Sequence, residues 1–247
     1  MRMASLRMQL GIASVVLGLG TGTAYADLVL SVEPPKAQQT SVADVTTEDF
    51  DGFETGWQSS LTTAVGTITS DSMFVRTADQ YGGAGGVGKY LAVAGDAPTT
   101  LTFNTAQSFF GFWWSAADPT NAFAIYSGST LLASFNPTTA LGALDYHYKG
   151  NPTDDFSGQD YGEKFAYLDF TGTDGTTFDR IVFMNPNGGS RLELDNFSIR
   201  AEALETPPGT GIDGVGVVPE PSSLAMAGAS MLAACGFAAR RRGRRPA

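Results

Sequence analysis

The sequence predicts an all-β protein whose body is an antiparallel β-sandwich. Thirty of the 247 residues are glycine, and the body is rich in Thr, Ser, Asn and Asp. Short apolar or alternating segments recur between residues 49 and 201, and turn-forming residues separate them. Short strands at this spacing favour a sandwich or barrel over alternating strands and helices.

Nine segments of the body have the apolar alternation or the continuous apolar run that is typical of strands. The stretch 27–48 has mixed signals, and we expect a loose lead-in there with one edge strand at Leu28–Val32. In chain order the nine segments are LTTAVGTIT (61–69), KYLAVAG (89–95), TTLTF (99–103), SFFGFWWSA (108–116), AFAIYSG (122–128), TLLASF (130–135), KFAYLDF (164–170), TFDRIVFMN (177–185) and RLELDNFSIR (191–200).

The last of these segments breaks the two-residue period of a strand. Leu192 and Leu194 share one face, whereas Phe197 and Ile199 have the opposite parity. A β-bulge inserts one residue into a strand and so restores the facing of the residues beyond it. The pattern therefore predicts a bulge near residues 195–196.

Charge and cysteine content limit the possible partners. The formal net charge is −10, but residues 27–218 hold 24 Asp and Glu against 8 Lys and Arg, and both chain ends are basic. A body this acidic is repelled by nucleic acid and by anionic lipid, so no nucleic-acid partner is expected. The only cysteine, Cys235, lies near the C-terminus, which leaves the body without a disulfide or a catalytic thiolate.

The first 26 residues have the layout of a secretory signal peptide. A basic start is followed by an apolar stretch over 10–19 and by small residues that end in Ala24 and Ala26, with cleavage expected after Ala26. The apolar stretch is shorter than the ~20 residues that a membrane span requires. We therefore expect export of the body, with a signal helix at the N-terminus.

The last 29 residues have three parts in a fixed order. Pro219, Glu220 and Pro221 come first, and an uncharged apolar run follows over 224–239. This run approaches the ~17–25 residues of a transmembrane helix. By the positive-inside rule, five arginines would then hold the C-terminus in the cytoplasm: Arg240, Arg241, Arg242, Arg244 and Arg245.

This three-part tail resembles the PEP-CTERM sorting signal. The resemblance implies recognition by exosortase, a membrane-embedded cysteine protease-transpeptidase of exopolysaccharide-producing Gram-negative bacteria, with processing near the Pro-Glu-Pro tripeptide. The implied route runs from the secretion translocon to a transient inner-membrane anchor and then to the cell surface or beyond. A plain C-terminal anchor is the alternative.

The predicted organisation of the whole chain is a signal peptide (1–26), a lead-in (27–48), a sandwich domain (49–201), a linker (202–218) and a sorting segment (219–247).

The body carries two further resemblances. GGAGGVGKYLAV, FFGFWWSAADPTNAFAIYSG, YKGNP and RLELDNFSI resemble the body of exosortase-dependent surface proteins, a family without an established activity. DFDGFETGW together with LELDNFSI is similar to galactose-binding-like jelly rolls, which include carbohydrate-binding modules. That second resemblance implies a jelly-roll-like sandwich and a structural calcium held by Glu54 and Asp195, with Asp51 as a further ligand. The alternative is that Glu54 and Asp195 cap turns or hydrogen-bond the backbone at the edge of the sandwich.

Aromatic residues suggest a surface for sugars. Trp113 and Trp114 are adjacent on a strand and must point to opposite faces. Phe110 and Phe112 share the parity of Trp114 and form a predicted core row, which leaves Trp113 either exposed to solvent as the binding aromatic or beneath a loop. Three tyrosines of a neighbouring loop would complete the platform: Tyr146, Tyr148 and Tyr161.

The segment GAGGVGK (83–89) matches the spacing of phosphate-binding loops. Such loops need a helix after them, whose N-terminus faces the anion, and a Ser or Thr after the lysine. Here Tyr90 follows the lysine, and the pattern continues as a strand. We therefore predict a loop between strands and no nucleotide site.

Catalytic motifs are scarce in this sequence. His147 is the only histidine, and neither a nucleophile elbow nor a zinc-binding helix motif is present. We expect a non-enzymatic protein of the cell surface with a structural or adhesive role in an exopolysaccharide matrix, and with weak carbohydrate binding. The alternative is a secreted carboxylate-dependent glycan hydrolase, which would use acids of the 145–163 loop: Asp154, Asp155, Asp160 and Glu163.

Overall fold

The computed structural model describes residues 28–95, 97–186 and 189–211. Within these ranges thirteen antiparallel strands form one hydrogen-bonded sheet, and the α-helix has five residues. The all-β class predicted from the sequence is confirmed. The predicted signal helix and transmembrane helix lie outside the described residues, and within those residues no helix is long and apolar enough to span a membrane.

The strands follow one another with short connections. Helix α1 (Pro137–Leu141) follows β9, and three short 3₁₀ turns occupy Ala84–Gly86, Tyr146–Tyr148 and Asp154–Phe156. The strands are β1 (Leu28–Val32), β2 (Thr46–Glu48), β3 (Gly56–Thr62), β4 (Gly66–Thr77), β5 (Lys89–Ala94), β6 (Thr99–Gln107), β7 (Phe109–Ser115), β8 (Ala122–Ser127), β9 (Thr130–Phe135), β10 (Ala166–Gly172), β11 (Phe178–Met184), β12 (Arg191–Arg200) and β13 (Thr210–Gly211).

The sheet curls into two layers because one long strand belongs to both. The strand order is β13-β1-β10-β7-β12-β5-β4-β6-β11-β8-β9, with β2 paired to β12 and β3 paired to β4. The first part of β4, Gly66–Thr69, pairs with β6, and its second part, Met73–Thr77, pairs with β5. One layer therefore contains β1, β10, β7, β12 and β5, and the other contains β6, β11, β8 and β9.

Aromatic rings fill the space between the layers. Phe112 of β7 meets Phe123 of β8 and Phe183 of β11 edge-on, with ring centroids 5.3 and 5.6 Å apart. Such pairs stabilise a core by about 0.5–1.5 kcal/mol each beyond the burial of their surface. The predicted core row is confirmed, because Phe110, Phe112 and Trp114 all belong to this buried cluster.

The bulge predicted in β12 is confirmed. The pairing of β12 with β7 shifts register between Asp195 and Ser198, and Asn196 has a left-handed φ of 49°. Asn is one of the few non-glycine residues that tolerate this conformation. As a result Leu194 and Phe197, which have opposite parity, are both buried in the same core.

The prediction of one strand over 61–69 is wrong. The segment is a hairpin, in which β3 ends at Thr62 and β4 begins at Gly66. The N–H of Thr63 donates to the carbonyl of Gly66 at 2.8 Å, and the Thr63 hydroxyl donates to the same carbonyl at 2.7 Å. Apolar alternation continues through this turn, so the sequence pattern does not reveal it. The other eight segments coincide with β5 to β12, and the strand predicted at Leu28–Val32 is β1.

A strap formed by residues 33–45 joins β1 to β2 across the outer face of the first layer. The Glu33 N–H donates to the Tyr167 carbonyl at 3.0 Å, and the Asn196 side-chain amide donates to the Gln38 carbonyl at 2.7 Å. The Tyr148 hydroxyl donates to the Glu33 carbonyl at 2.9 Å. The lead-in thus contributes two strands and a covering segment to the sheet, and β13 falls within the predicted linker.

Candidate ligand-binding site

The outer face of the first layer carries acidic side chains that are cut off from bulk water. Glu193 of β12 lies opposite Ser115 of β7 and Ala92 of β5, so its side chain projects outward. Asp195, two residues on, projects from the same face, and only 6% of Glu193 and 2% of Asp195 is exposed. Loops that fold over this face account for the burial.

One depression on this face is an acidic pocket with a cavity volume of about 530 Å³. The Ala117 N–H donates to the Lys164 carbonyl at 3.1 Å, which holds the loop after β7 against the segment that carries Glu163. The Asn121 amide donates to the Arg191 carbonyl at 3.1 Å and anchors the same loop to β12. The lining residues of the acidic pocket are Tyr81, Ala94, Ala116, Asp118, Glu163, Gly189, Ser190, Arg191 and Glu193.

Two carboxyl groups of the acidic pocket have raised pKa values. Burial, with Asp118 and Asp160 nearby, raises the pKa of Glu163 to about 7. Burial, with Asp118 and Glu163 nearby, raises the pKa of Glu193 well above its usual range. One oxygen of Glu163 is buried without a hydrogen-bond partner. At neutral pH the pocket can therefore both donate and accept hydrogen bonds through carboxyl groups.

Aromatic side chains extend from the acidic pocket toward the edge of the sheet. The Tyr81 ring lines the pocket and is 42% exposed. The Arg191 guanidinium lies 5.2 Å from the centroid of the Phe74 ring, and the exposed Trp57 stacks on Phe74 at 3.4 Å. Exposed aromatic faces beside hydrogen-bonding groups are suited to ligands with one apolar and one polar side.

A second depression, here called the strap groove, lies between the strap and the glycine-rich loop of residues 83–88 and has a volume of about 750 Å³. The Ala84 N–H donates to the Asp195 carboxylate at 2.7 Å, and the Lys89 N–H donates to the Asp51 carboxylate at 2.6 Å. The Gly85 N–H donates to the Gln38 side chain. The glycine-rich loop thus uses these N–H groups on acceptors of its own chain, and it leads into β5, as predicted.

The residues proposed for calcium do not fit a calcium site. Asp195 accepts N–H groups from Ala84 and from Asn196 on its two oxygens, and Asp51 accepts the Lys89 N–H. Glu54 is exposed and does not line the strap groove that Asp51 and Asp195 share. Across residues 28–95, 97–186 and 189–211 no group of three or more His, Cys, Asp or Glu is arranged to hold a metal ion.

Trp113 lies beneath loops, so the alternative in which it meets solvent as a binding aromatic is wrong. Trp113 has no exposed surface and packs in a small second core on the outer face with Ala116, Phe165 and Tyr167. The ring of Phe165 lies 6.1 Å from that of Trp113, and Ala84 of the glycine-rich loop covers the cluster. Strand parity correctly places Trp113 on the face opposite Trp114, but the loops close over it, so its ring cannot stack on a ligand from solvent.

The three tyrosines of the predicted platform separate into two groups. Tyr146 and Tyr161 are 63% and 59% exposed, and Lys149 lies 5.9 Å from the Tyr161 ring centroid. Tyr148 is half-buried against the main core, and its hydroxyl holds the strap. Of the acids considered for catalysis, Glu163 lines the acidic pocket, and Asp154 and Asp155 are exposed.

Sequence reasoning missed the residues that shape the acidic pocket. Tyr81, Asp118 and Glu193 come from three distant parts of the chain, and no motif connects them. For Trp57 the sequence does contain an indication of exposure: this tryptophan stands alone among polar residues in TGWQSS, and a buried tryptophan is not expected in such a context.

The described residues define an antiparallel β-sandwich with a polar, pocketed outer face. The C-terminal segment carries a sorting signal, because residues 217–242 match the PEP-CTERM protein-sorting motif. The motif implies export and exosortase-dependent sorting from the membrane to the surface. The predicted signal-cleavage residues, Pro-Glu-Pro tripeptide and arginine cluster all lie outside the described residues.

Comparisons of the whole chain add little to this assignment. No curated protein matches the sequence. Among solved structures, the K2 cleaved adhesin domain of Lys-gingipain is similar to this chain, with a TM-score of 0.33 and 11% sequence identity over 73% of this chain and 100% of the adhesin chain.

Proposed function

We propose that this protein acts in an extracellular polysaccharide matrix, in a structural or adhesive role, after exosortase has processed its tail. Its β-sandwich binds saccharides weakly through the acidic pocket. The sorting motif at residues 217–242 supports the location. The observation that supports binding is the exposed Tyr81 ring in a pocket with Asp118, Glu163 and Arg191.

The chemistry of the acidic pocket selects among saccharides. The Tyr81 ring offers an apolar face on which the C–H groups of a sugar ring can stack. Asp118 and Glu163 accept hydrogen bonds from hydroxyl groups, and Arg191 donates them. The raised pKa values of Glu163 and Glu193 reduce the negative charge of the pocket itself, but the body as a whole has 24 Asp and Glu against 8 Lys and Arg and therefore repels uronic acids and sulfated sugars. Neutral and amino sugars are therefore the preferred ligands, and the Trp57–Phe74 stack lies where a longer chain can continue.

A glycan hydrolase is the second candidate function. The observation that favours it is Glu163, whose pKa of about 7 suits a general acid near neutral pH, with Asp118 as a second carboxylate in the same pocket. Glu163→Gln removes the proton donor but keeps the shape of the pocket. Release of reducing ends by the natural protein, lost in Glu163→Gln, would establish hydrolysis.

A glycan array with the full chain tests the binding proposal. Tyr81→Ala is expected to weaken binding of neutral or amino-sugar glycans several-fold, because an aromatic contact contributes about 0.5–1.5 kcal/mol beyond the burial of its surface. Tyr146→Ala and Tyr161→Ala remove more exposed rings elsewhere and should change binding little. If these two variants abolish binding and Tyr81→Ala does not, the exposed tyrosine loop is the site and the acidic pocket is not.

A further inference from the structure

Buried polar atoms without partners cluster on the outer face of β1 and β10. Among the described residues, the hydroxyls of Ser31 and Thr171 and both carboxylate oxygens of Asp169 have no hydrogen-bond partner. Ser31 is 1% exposed, and Asp169 and Thr171 are completely buried. A buried polar group without a partner destabilises a fold by about 1–3 kcal/mol, and a charged group by more. Such a cluster therefore requires an explanation.

Strand register brings Ser31, Glu33 and Asp169 together. Ser31 of β1 lies directly opposite Asp169 of β10, and Cβ atoms of directly opposed residues are about 4.5–5.5 Å apart. Glu33 follows Ser31 by two residues on the same face, and its N–H donates to the Tyr167 carbonyl. Three oxygen-bearing side chains thus surround one small volume beneath the strap, whereas Thr171, four residues beyond Tyr167, lies about 13 Å from the level of Glu33.

Gly111 provides the space for the Asp169 carboxylate. Gly111 of β7 lies opposite Asp169, and a Cβ atom at that position would stand 2.7 Å from Asp169 Oδ1. The carboxylate therefore occupies room that a side chain would otherwise take. On the next strand Ser198 is the partner of Gly111, so β7 and β12 present no charged group at this level.

The negative charge of this cluster lacks a basic partner. Glu33 Oε1 accepts the N–H and the hydroxyl of Ser41 at 2.6 and 2.7 Å and also contacts the Thr40 hydroxyl, so neutral donors of the strap hold it. In the described part of the chain, the ion pairs involve neither Glu33 nor Asp169. The titratable groups that flank Asp169 are Glu33 and Tyr167, and burial together with Glu33 raises the pKa of Asp169 to about 8. The nearby Thr40 hydroxyl, whose contact with that carboxylate falls short of a well-formed hydrogen bond, acts on the pKa in the opposite direction.

We propose that Ser31, Glu33 and Asp169 bind one hard divalent cation, with calcium as the best match. Two carboxylates balance the double charge, and the Ser31 hydroxyl adds a hard oxygen ligand of the kind that calcium prefers. The ion would connect the strap, through Glu33, to β1 and β10. Sites of extracellular modules bind calcium with Kd values of about 10⁻⁴–10⁻³ M, which is adequate outside the cell.

Thermal unfolding of the full chain in CaCl₂ or in EDTA tests this proposal. Calcium should raise the Tm of the natural protein, and Asp169→Asn should remove that rise. Ser31→Ala removes one ligand with little change of shape and should weaken calcium affinity about 10-fold, even if Asp169→Asn folds poorly.

Glu163→Gln is the matched control, because Glu163 is an acid of the acidic pocket and should leave the calcium response unchanged. An unchanged Tm of the natural protein in calcium would overturn the proposal. An equal rise in Asp169→Asn, with loss of the rise in Glu163→Gln, would place the ion in the acidic pocket and would overturn it as well.

Discussion

The N–H of Ala84 donates a 2.7 Å hydrogen bond to the carboxylate of Asp195, 111 residues further along the chain. The second oxygen of Asp195 accepts the N–H of Asn196, the bulge residue of β12. One buried carboxylate therefore links the glycine-rich loop to the bulge. This link closes the outer face over the second core, because Ala84 packs on Trp113 and its neighbours.

Asp195→Asn should destabilise the protein although it preserves size and removes a buried acid. Both oxygens of Asp195 accept N–H groups, and each keeps an acceptor lone pair when the acid is protonated at pH 6, whereas the NH₂ of an amide accepts no hydrogen bond and would face a donor. The expected loss is about 1–3 kcal/mol in the free energy of unfolding at about pH 6, measured by denaturant titration. Asp71→Asn, at an exposed position of β4, is the control. Equal stability of the two variants would show that the link contributes nothing.

Stability should fall as the pH rises from about 4 to about 8 in the presence of EDTA. Burial raises the pKa of Asp169 and of Asp195 from 3.8 to about 8, and that of Glu163 from 4.5 to about 7. In this interval the folded state binds more protons than the unfolded state, so each group loses its contribution as the pH rises through its folded pKa. Denaturant titrations at several pH values measure this slope. A stability that increases over the same interval would contradict the burial of these acids.

Trp113→Ala should destabilise the fold, because the ring contributes to the second core and does not contact a ligand from solvent. Trp113 is completely buried, and replacement of such a ring by alanine costs about 3–5 kcal/mol. Trp57→Ala is the matched tryptophan control, since Trp57 is 63% exposed and should cost at most about 1 kcal/mol. Both are measured by chemical denaturation with near-UV circular dichroism. The second core would be refuted if Trp113→Ala were as stable as Trp57→Ala.

Strand parity predicted much of the sandwich because a strand with one buried face alternates by two. It identified the row of Phe110, Phe112 and Trp114, and a break in the same period located the bulge at 195–196. Strand periodicity did not reveal the hairpin within 61–69, because apolar residues continue through its turn. Period alone does not distinguish a turn from a strand when both carry apolar residues.

The candidate site was predicted less well because loops from distant parts of the chain form it. Parity places Trp113 outward, but only the folded chain brings Phe165 and Ala84 over it. Tyr81 and Glu193 acquire a common role through contacts that no local pattern encodes. The pKa of Glu163 likewise depends on its burial and on Asp118, and neither is visible in the spacing of residues.

The central claim is that this chain is a β-sandwich carried to the surface by a sorting tail that is then removed. Mass spectrometry of the protein recovered from cell surfaces and culture medium tests it most directly. Exosortase processing near Pro219-Glu220-Pro221 predicts a mature mass without the arginine cluster, so no peptide containing residues 240–245 should be found. Surface protein that retains an intact C-terminus through Ala247 would contradict the claim and would make the tail an ordinary anchor.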